Sequence, residues 1–250
     1  MNCESQSKPW YILGAGAMGC LWAYRLQQQR IAVRLLLRNE ARLDQYRQAG
    51  GIRVTTARLE EPDSICIPAQ VAGTGDQAIA RLIISCKAQQ TESAFSAIAA
   101  TVDDEAQVIL LQNGMGVAEQ LQNRYPQLQL HAAVTTSGAH SLAPFHVRPA
   151  GRGQTRMGRF PREPKHTDTE PARSLAQQLN SDALPVNYCD NIYRAQWHKL
   201  TVNAVINPLT ALYRVRNGDL MHHAEAQRDI RALCSEICAV SQAIAMPLTC

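Results

Sequence analysis

Lys199, Asn203 and Asn207 stand in a stretch whose neighbours are mostly apolar, Trp197-His198-Lys199-Leu200-Thr201-Val202-Asn203-Ala204-Val205-Ile206-Asn207-Pro208-Leu209-Thr210. They are spaced i, i+4 and i+8. In a helix, successive members turn by only about 40°, so all three share one face. Asparagine is a poor helix former, and a buried polar group needs a partner. Pro208 removes an N–H and crowds the preceding turn. Local violations that cluster in this way tend to mark functional sites. An ammonium beside two amides has the means to stabilise negative charge on an oxygen, donate a proton to it and hold the rest of a small molecule by hydrogen bonds. A lysine lying along apolar surface, with two asparagines satisfied by backbone, fits the same spacing equally well. His198 faces about 100° away from Lys199 and stays outside this constellation. His222 and His223 are adjacent and point to different faces, which speaks against a shared metal.

A second chemical signal lies near the start of the chain. Gly14-Ala15-Gly16-Ala17-Met18-Gly19 has the spacing of a dinucleotide-binding loop. The first glycine permits a tight turn, the second lets a pyrophosphate approach the backbone, and the third lets helix and strand pack closely. Phosphates would then sit on the helix N-terminus, held by its N–H groups and positive dipole end. Glycine-rich turns are common, but here an apolar run precedes the loop, a helical pattern follows it, and a second strand ends about 20 residues further on. That strand ends in Arg38, where a carboxylate would grip a ribose 2′-hydroxyl. A guanidinium at this place favours a 2′-phosphate instead, so the expected cofactor is NADP(H). Glu40, two residues on, leaves room for a merely solvated Arg38.

The elements that must position these groups follow from the apolar pattern. Trp10 to Leu13 reads as a strand, Cys20 to Gln29 as a helix, and Ile31 to Leu37 as a second buried strand. Ile52 to Thr56 and Ser64 to Pro68 are weaker strands; Arg81 to Cys86 is a strong one closed by Lys87, and Thr91 to Ala100 is helical. Val108 to Gln112 is a strand ending at Asn113-Gly114-Met115-Gly116, followed by a helix to Arg124 and a strand over His131 to Thr135. Arg148, Arg152, Arg156, Arg159, Arg162 and Lys165 stand among glycines and prolines. With Phe160 as the sole aromatic between them, they read as an exposed hairpin and linker rather than a nucleic-acid patch. Ala172 to Asn180 is a helix and Val186 to Cys189 a short strand; from Tyr193 onward the chain reads as helical. The expected fold class is α/β, a Rossmann-type doubly wound parallel sheet over residues 1–190 followed by an all-helical part over residues 191–250.

Composition narrows the partners. With 25 basic and 21 acidic residues the chain carries a net charge of +4, too mild to argue for nucleic acid and compatible with an anionic small molecule. Eight cysteines show no paired spacing and read as reduced, buried thiols of a cytoplasmic protein. Cys234 and Cys238 lie one helical turn apart, but no further ligands stand near them in the sequence, so no metal site is expected. No apolar run approaches the roughly 20 residues of a membrane span.

These residues together resemble the ketopantoate reductase (2-dehydropantoate 2-reductase) family. The resemblance rests on the glycine loop, on Leu111-Gln112-Asn113-Gly114-Met115-Gly116, on the helix carrying Lys199, and on Asn217-Gly218-Asp219-Leu220 with His222-His223. It implies a Rossmann domain, a helical C-terminal domain and an active site in the cleft between them. The implied reaction is NADPH-dependent reduction of 2-dehydropantoate to pantoate, on the route to pantothenate and coenzyme A. Lys199 is then the catalytic proton donor. Asn203 and Asn207 bind the substrate, and Asn113 serves both substrate and cofactor. Lys87 and Gln90 join Gly14, Ala15, Gly16, Ala17, Met18, Gly19 and Arg38 on the cofactor side. The expected partner is a small 2-keto acid, with neither nucleic acid nor membrane, in a monomer or homodimer. Family members continue beyond the position of Cys250 through helices that carry a substrate-binding serine and an active-site glutamate. The expectation is therefore a C-terminally truncated member, with turnover by the 250 residues in question and cofactor binding retained. Two other readings stand beside this one: a dinucleotide-binding protein without catalysis, and a reductase of a related 2-keto acid.

Overall fold

The structure, a computed structural model, describes residues 8–56, 61–160 and 169–246. The chain divides into two compact units, Met1–Ile192 and Tyr193–Cys250. Arg162 and Lys165 of the basic stretch lie outside the described residues, as do Cys3 and Cys250.

The first unit is built on β1 (Trp10–Leu13), α1 (Ala17–Gln28), β2 (Val33–Leu37), α2 (Glu40–Gln48), β3 (Ile52–Val54), β4 (Asp63–Ile65), β5 (Ala69–Val71) and β6 (Ile79–Ile84). It continues with α3 (Ala88–Ser96), β7 (Val102–Leu110), α4 (Val117–Arg124), β8 (Gln129–Thr135), β9 (Gly138–Ala143), β10 (His146–Ala150), β11 (Thr155–Arg159), α5 (Glu170–Leu179) and β12 (Val186–Tyr188). The main sheet has the order β12-β11-β8-β7-β6-β1-β2-β5. From β5 to β8 every pairing is parallel; β11 runs antiparallel to β8, and β12 runs parallel to β11. Parallel strands covered on both faces read as continuous apolar runs. All four residues of β1 are buried, as are Leu35, Leu36 and Leu37 of β2 and Leu82, Ile83 and Ile84 of β6.

The weaker strands expected near Ile52 and Ser64 do form, and with the β9–β10 hairpin they make a second sheet of order β4-β3-β10-β9. The basic stretch, expected as an exposed hairpin and linker, supplies β10 of the β9–β10 hairpin and β11 of the main sheet, with its described arginines exposed. Val147 on β10 and Met157 on β11 are buried while Arg148, Arg156 and Arg159 are exposed, a strand alternation masked in the sequence by the surrounding glycines and prolines. The second sheet buries Ile52, Val54 and Val147 beside α1, whose Trp22 and Leu26 are fully enclosed, while Phe145 in the β9–β10 turn packs on Tyr46 of α2. Among the cysteines, Cys20 is buried but Cys66 and Cys234 are exposed, so the thiols are not uniformly interior.

The second unit consists of α6 (Ile192–Tyr213), a 3-10 turn over Asn217–His222 and α7 (Ala224–Ala243). Val205, Leu209, Leu220 and Ala226 form its small core. Trp197 Nε1 donates to the fully buried Ser241 Oγ at 3.1 Å, and Tyr213 donates to Asp229 at 2.6 Å. His223 caps α7 by accepting the Ala226 N–H at 3.4 Å and packs its ring on Tyr213 at 4.5 Å. Among the described residues no helix is long and apolar enough to cross a membrane.

Candidate active site and cofactor cavity

The glycine loop joins β1 to α1, and each glycine meets a different constraint. Gly14 has φ +104°, and a Cβ there would lie 2.6 Å from the Cys86 backbone nitrogen. Gly19 is buried in the first turns of α1; a Cβ there would lie 2.0 Å from the Gly14 carbonyl oxygen and 2.5 Å from Ser85 Oγ. Above Gly16 there is open space, with no atom within 4 Å of where a Cβ would be. Helix α1 starts at Ala17, three residues before the expected Cys20, because the end of the glycine loop is itself the first helical turn. No side chain caps this helix at Gly16, so its N-terminal N–H groups open at the loop.

Beside the loop lies a cavity of about 650 Å³ at the carboxyl ends of β1, β2 and β6. Doubly wound sheets bind their ligands at this end of the strands. Of the residues expected on the cofactor side, Gly14, Ala15, Gly16, Arg38, Lys87 and Gln90 line it. Ala17, Met18 and Gly19 are in the first turns of α1 and are not among its lining residues, nor is Asn113. Arg38 is exposed just beyond β2, and Lys87 is exposed where it caps α3. Cys86 lines the same cavity; burial holds its thiol above the usual cysteine range, so it stays protonated.

Two further residues shape the cavity, and both escaped the sequence reading. Ser85 Oγ donates to the Gly14 carbonyl at 2.6 Å. Arg42 Nη2 donates to the Ala15 carbonyl at 3.2 Å, and its guanidinium carbon sits 4.1 Å from the centre of the Phe145 ring. The signal for Arg42 was present: Asn39 is a natural N-cap, and it accepts the Arg42 N–H at 3.0 Å, which fixes where α2 begins and which way Arg42 projects.

Asn113 is exposed in the turn after β7, where Gly114 has φ +100° and Gly116 has φ +94°. These two left-handed positions are why the turn carries glycines. Gly116 N–H donates to Glu119 Oε2 at 3.0 Å and closes the start of α4. Gln112 Nε2 donates to Thr91 Oγ1 at 2.8 Å, and Thr91 Oγ1 donates to the Lys87 carbonyl at 3.3 Å. The turn bearing Asn113 is thus tied to the residue preceding α3.

In the second unit, Lys199, Asn203 and Asn207 all fall within α6. Lys199 and Asn203 are half-buried and Asn207 is exposed. The helix is less enclosed than its apolar neighbours suggest, since Val202 is 55% exposed. Burial pushes the Lys199 ammonium below the ordinary lysine value of 10.5, toward the range in which a lysine gives up its proton readily. Pro208 sits inside the helix, and Thr210 Oγ1 donates back to the Asn207 carbonyl at 2.8 Å.

Residues 10–162 match the ketopantoate reductase PanE/ApbA family, and residues 191–249 match that family's C-terminal region. The chain belongs to the ketopantoate reductase family. It is 32% identical over 235 residues to a 2-dehydropantoate 2-reductase of Vibrio cholerae, covering 94% of this chain and 73% of that one. It is 31% identical over 237 residues to the enzyme of the same name from Halobacterium salinarum, covering 93% and 74%. Among solved structures, a PanE/ApbA family ketopantoate reductase from Ralstonia eutropha superposes with a TM-score of 0.82 at 26% identity, covering 97% of this chain and 77% of that one. The fold is shared more widely: D-mandelate dehydrogenase bound to NADH and anilino(oxo)acetate gives a TM-score of 0.86 at 21% identity, covering 96% and 76%. The family is one of dinucleotide-dependent oxidoreductases acting on small molecules, and the mixed α/β sheet with a helical C-terminal region is its fold.

Proposed function

We propose that this ketopantoate reductase family member reduces 2-dehydropantoate to pantoate with NADPH, on the route to pantothenate and coenzyme A in the cytoplasm. The observation that carries the cofactor half is the 650 Å³ cavity at the glycine loop, open above Gly16 and lined by the Arg38 guanidinium where β2 ends. A pyrophosphate fits the space that a side chain at position 16 would fill, and a 2′-phosphate fits a guanidinium better than a carboxylate. In this reading Gly14 to Gly19, Arg38, Lys87, Gln90 and Asn113 hold the dinucleotide. The Met1–Ile192 unit is its binding domain, and the Tyr193–Cys250 unit brings catalytic and substrate groups.

When bound, the reduced nicotinamide supplies a hydride to the keto carbon. Lys199, as ammonium, stabilises the negative charge growing on the carbonyl oxygen and donates the proton that completes the alcohol. Its lowered pKa suits that task, because the proton is held less tightly than on a solvated lysine. Asn203 and Asn207, one and two turns along the same face, hold the hydroxyl and carboxylate ends of the substrate. Oxidation of NADPH in the presence of 2-dehydropantoate, compared with pyruvate and 2-ketoisovalerate, tests the reading. Preferred turnover of 2-dehydropantoate is expected. Faster turnover of either smaller acid would assign the chain to a related keto acid, and NADPH binding with no turnover of any would make it a binding protein only.

A further inference from the structure

We propose that Arg42 is a second specificity-determining residue for the 2′-phosphate of the cofactor, and that the same side chain holds the glycine loop in its binding shape. The proposal rests on the NADPH reading above and extends it to a residue outside the glycine loop and the end of β2.

Arg42 is the third residue of α2, so its cation stands in the first turn of a helix, where the macrodipole disfavours positive charge. Among the described residues neither Arg42 nor Arg38 forms an ion pair with a carboxylate. Both line the same cavity. Two guanidiniums without an ion-pair partner among the described residues, one of them set against a helix dipole, make a site whose electrostatics an anion would relieve.

The Arg42 guanidinium is also held in place before any ligand arrives. Nη2 donates to the Ala15 carbonyl at 3.2 Å, Nη1 donates to Gln45 Oε1 at 3.0 Å, and one face lies on the Phe145 ring at 4.1 Å. A guanidinium has five N–H donors, so these two bonds leave others for a phosphate oxygen. A planar group fixed in this way loses little freedom on binding, which a flexible ammonium at the same place would not match. The bond to Ala15 does a second thing: it occupies a carbonyl of the loop whose N–H groups face the pyrophosphate. Ser85 does the same for Gly14.

The test measures dissociation constants for NADPH and NADH by calorimetry on the full chain, with no turnover required, for the unaltered protein and for Arg42→Gln, Arg42→Lys and Arg38→Gln. Arg42→Gln is expected to weaken NADPH on the order of 10- to 100-fold, the worth of a lost charge-assisted bond, and NADH by about threefold through the loosened loop. Arg42→Lys keeps the charge but not the planar fork, and recovers only part of the NADPH affinity. Should Arg42→Gln fail to fold, Arg42→Lys carries the test, because its NADPH constant must still rise more than its NADH constant. Equal losses for both nucleotides would reduce Arg42 to a loop clamp and overturn its role in specificity. An unaltered protein that binds NADH as tightly as NADPH would instead sink the NADPH reading itself. A protein that prefers NADPH and keeps that ratio in both Arg42 variants would sink only the proposal for Arg42.

Discussion

The three glycines of the loop give a prediction that separates folding from binding, because the surroundings of Gly16 and Gly19 are opposite. An alanine at position 19 places its Cβ 2.0 Å from the Gly14 carbonyl oxygen, where ordinary contact begins at about 3.4 Å. The start of α1 must therefore retreat by about 1.4 Å, or the loop must bend. Overpacking of this kind costs about 1–3 kcal/mol and often more against backbone, offset by up to about 1 kcal/mol from the better helix propensity of alanine. A net loss of about 2 kcal/mol corresponds to a fall in melting temperature of roughly 4–8 °C for a chain of this size. At position 16 the backbone is extended, with φ −82° and ψ −171°, and an added methyl meets nothing within 4 Å. Alanine at an N-cap is somewhat worse than glycine, but it also restricts the unfolded chain, and the two effects nearly cancel. Gly16→Ala should therefore melt within about 2 °C of the unaltered protein while binding NADPH at least about tenfold more weakly, because its methyl takes the space of the pyrophosphate. Thermal denaturation followed by circular dichroism, paired with calorimetric titration of NADPH, reads both quantities. A Gly16→Ala protein that binds NADPH as tightly as before would refute the placement of the pyrophosphate over Gly16. A Gly19→Ala protein of unchanged stability would refute the packing argument.

Other perturbations address the remaining groups. Lys199→Ala is expected to lower kcat by at least about 100-fold, the usual worth of a positioned acid, with the NADPH dissociation constant unchanged; retained turnover would remove Lys199 from the chemistry. Since the ammonium is the working form, kcat should decline as pH rises through a lysine pKa below 10.5, and a profile flat up to that value would contradict the assignment. Arg38→Asp should shift the ratio of NADPH to NADH affinity toward NADH, and an unaltered ratio would place the 2′-phosphate elsewhere. His131 on β8 is 4% exposed, and its Nδ1 has no hydrogen-bond partner among the described residues. Burial, with Arg159 nearby, pushes its pKa from 6.5 down to about 4. The unfolded chain therefore binds more protons between these values, so stability rises with pH across that window and is lost on acidification. The imidazole contributes up to about 3 kcal/mol of that change. Urea denaturation at pH 7 and pH 4.5 checks it, and His131→Leu should flatten the difference.

The parts of this molecule legible from sequence are those where one physical demand acts alone. Strands β1, β2 and β6 must be apolar on both faces, so their runs announced the parallel sheet. The glycine loop must be free of side chains at fixed positions, so its spacing announced a dinucleotide. The second sheet was less legible because its strands are only three to six residues long and bury one face each, leaving Ile52 and Val54 or Val147 as the whole signal. Helix α6 misled in another way. Its run of apolar letters suggested full enclosure, yet Val202 and Leu212 are 55% and 68% exposed, since a helix in a small unit has few neighbours to bury it.

The glycine loop shows why such reading stops short of a binding site. Its own residues specify where the backbone is permitted to go, and they say nothing about what keeps it there. That work falls to Ser85 just beyond β6, 71 residues from Gly14, and to Arg42 on α2, 27 residues from Ala15. Each satisfies one carbonyl of the loop, and neither belongs to a sequence pattern with the glycines. A loop carbonyl left without such a donor could turn toward the phosphates and repel them, so the clamps and the open space above Gly16 are parts of a single arrangement. It follows that Ser85→Ala should act on the same quantity as Arg42→Gln, through the loop alone. Its expected signature is an equal loss of affinity for NADPH and NADH, on the order of three- to tenfold for one half-buried hydrogen bond. A Ser85→Ala protein that lost NADPH selectively would show that loop shape, and not only charge, decides between the two cofactors.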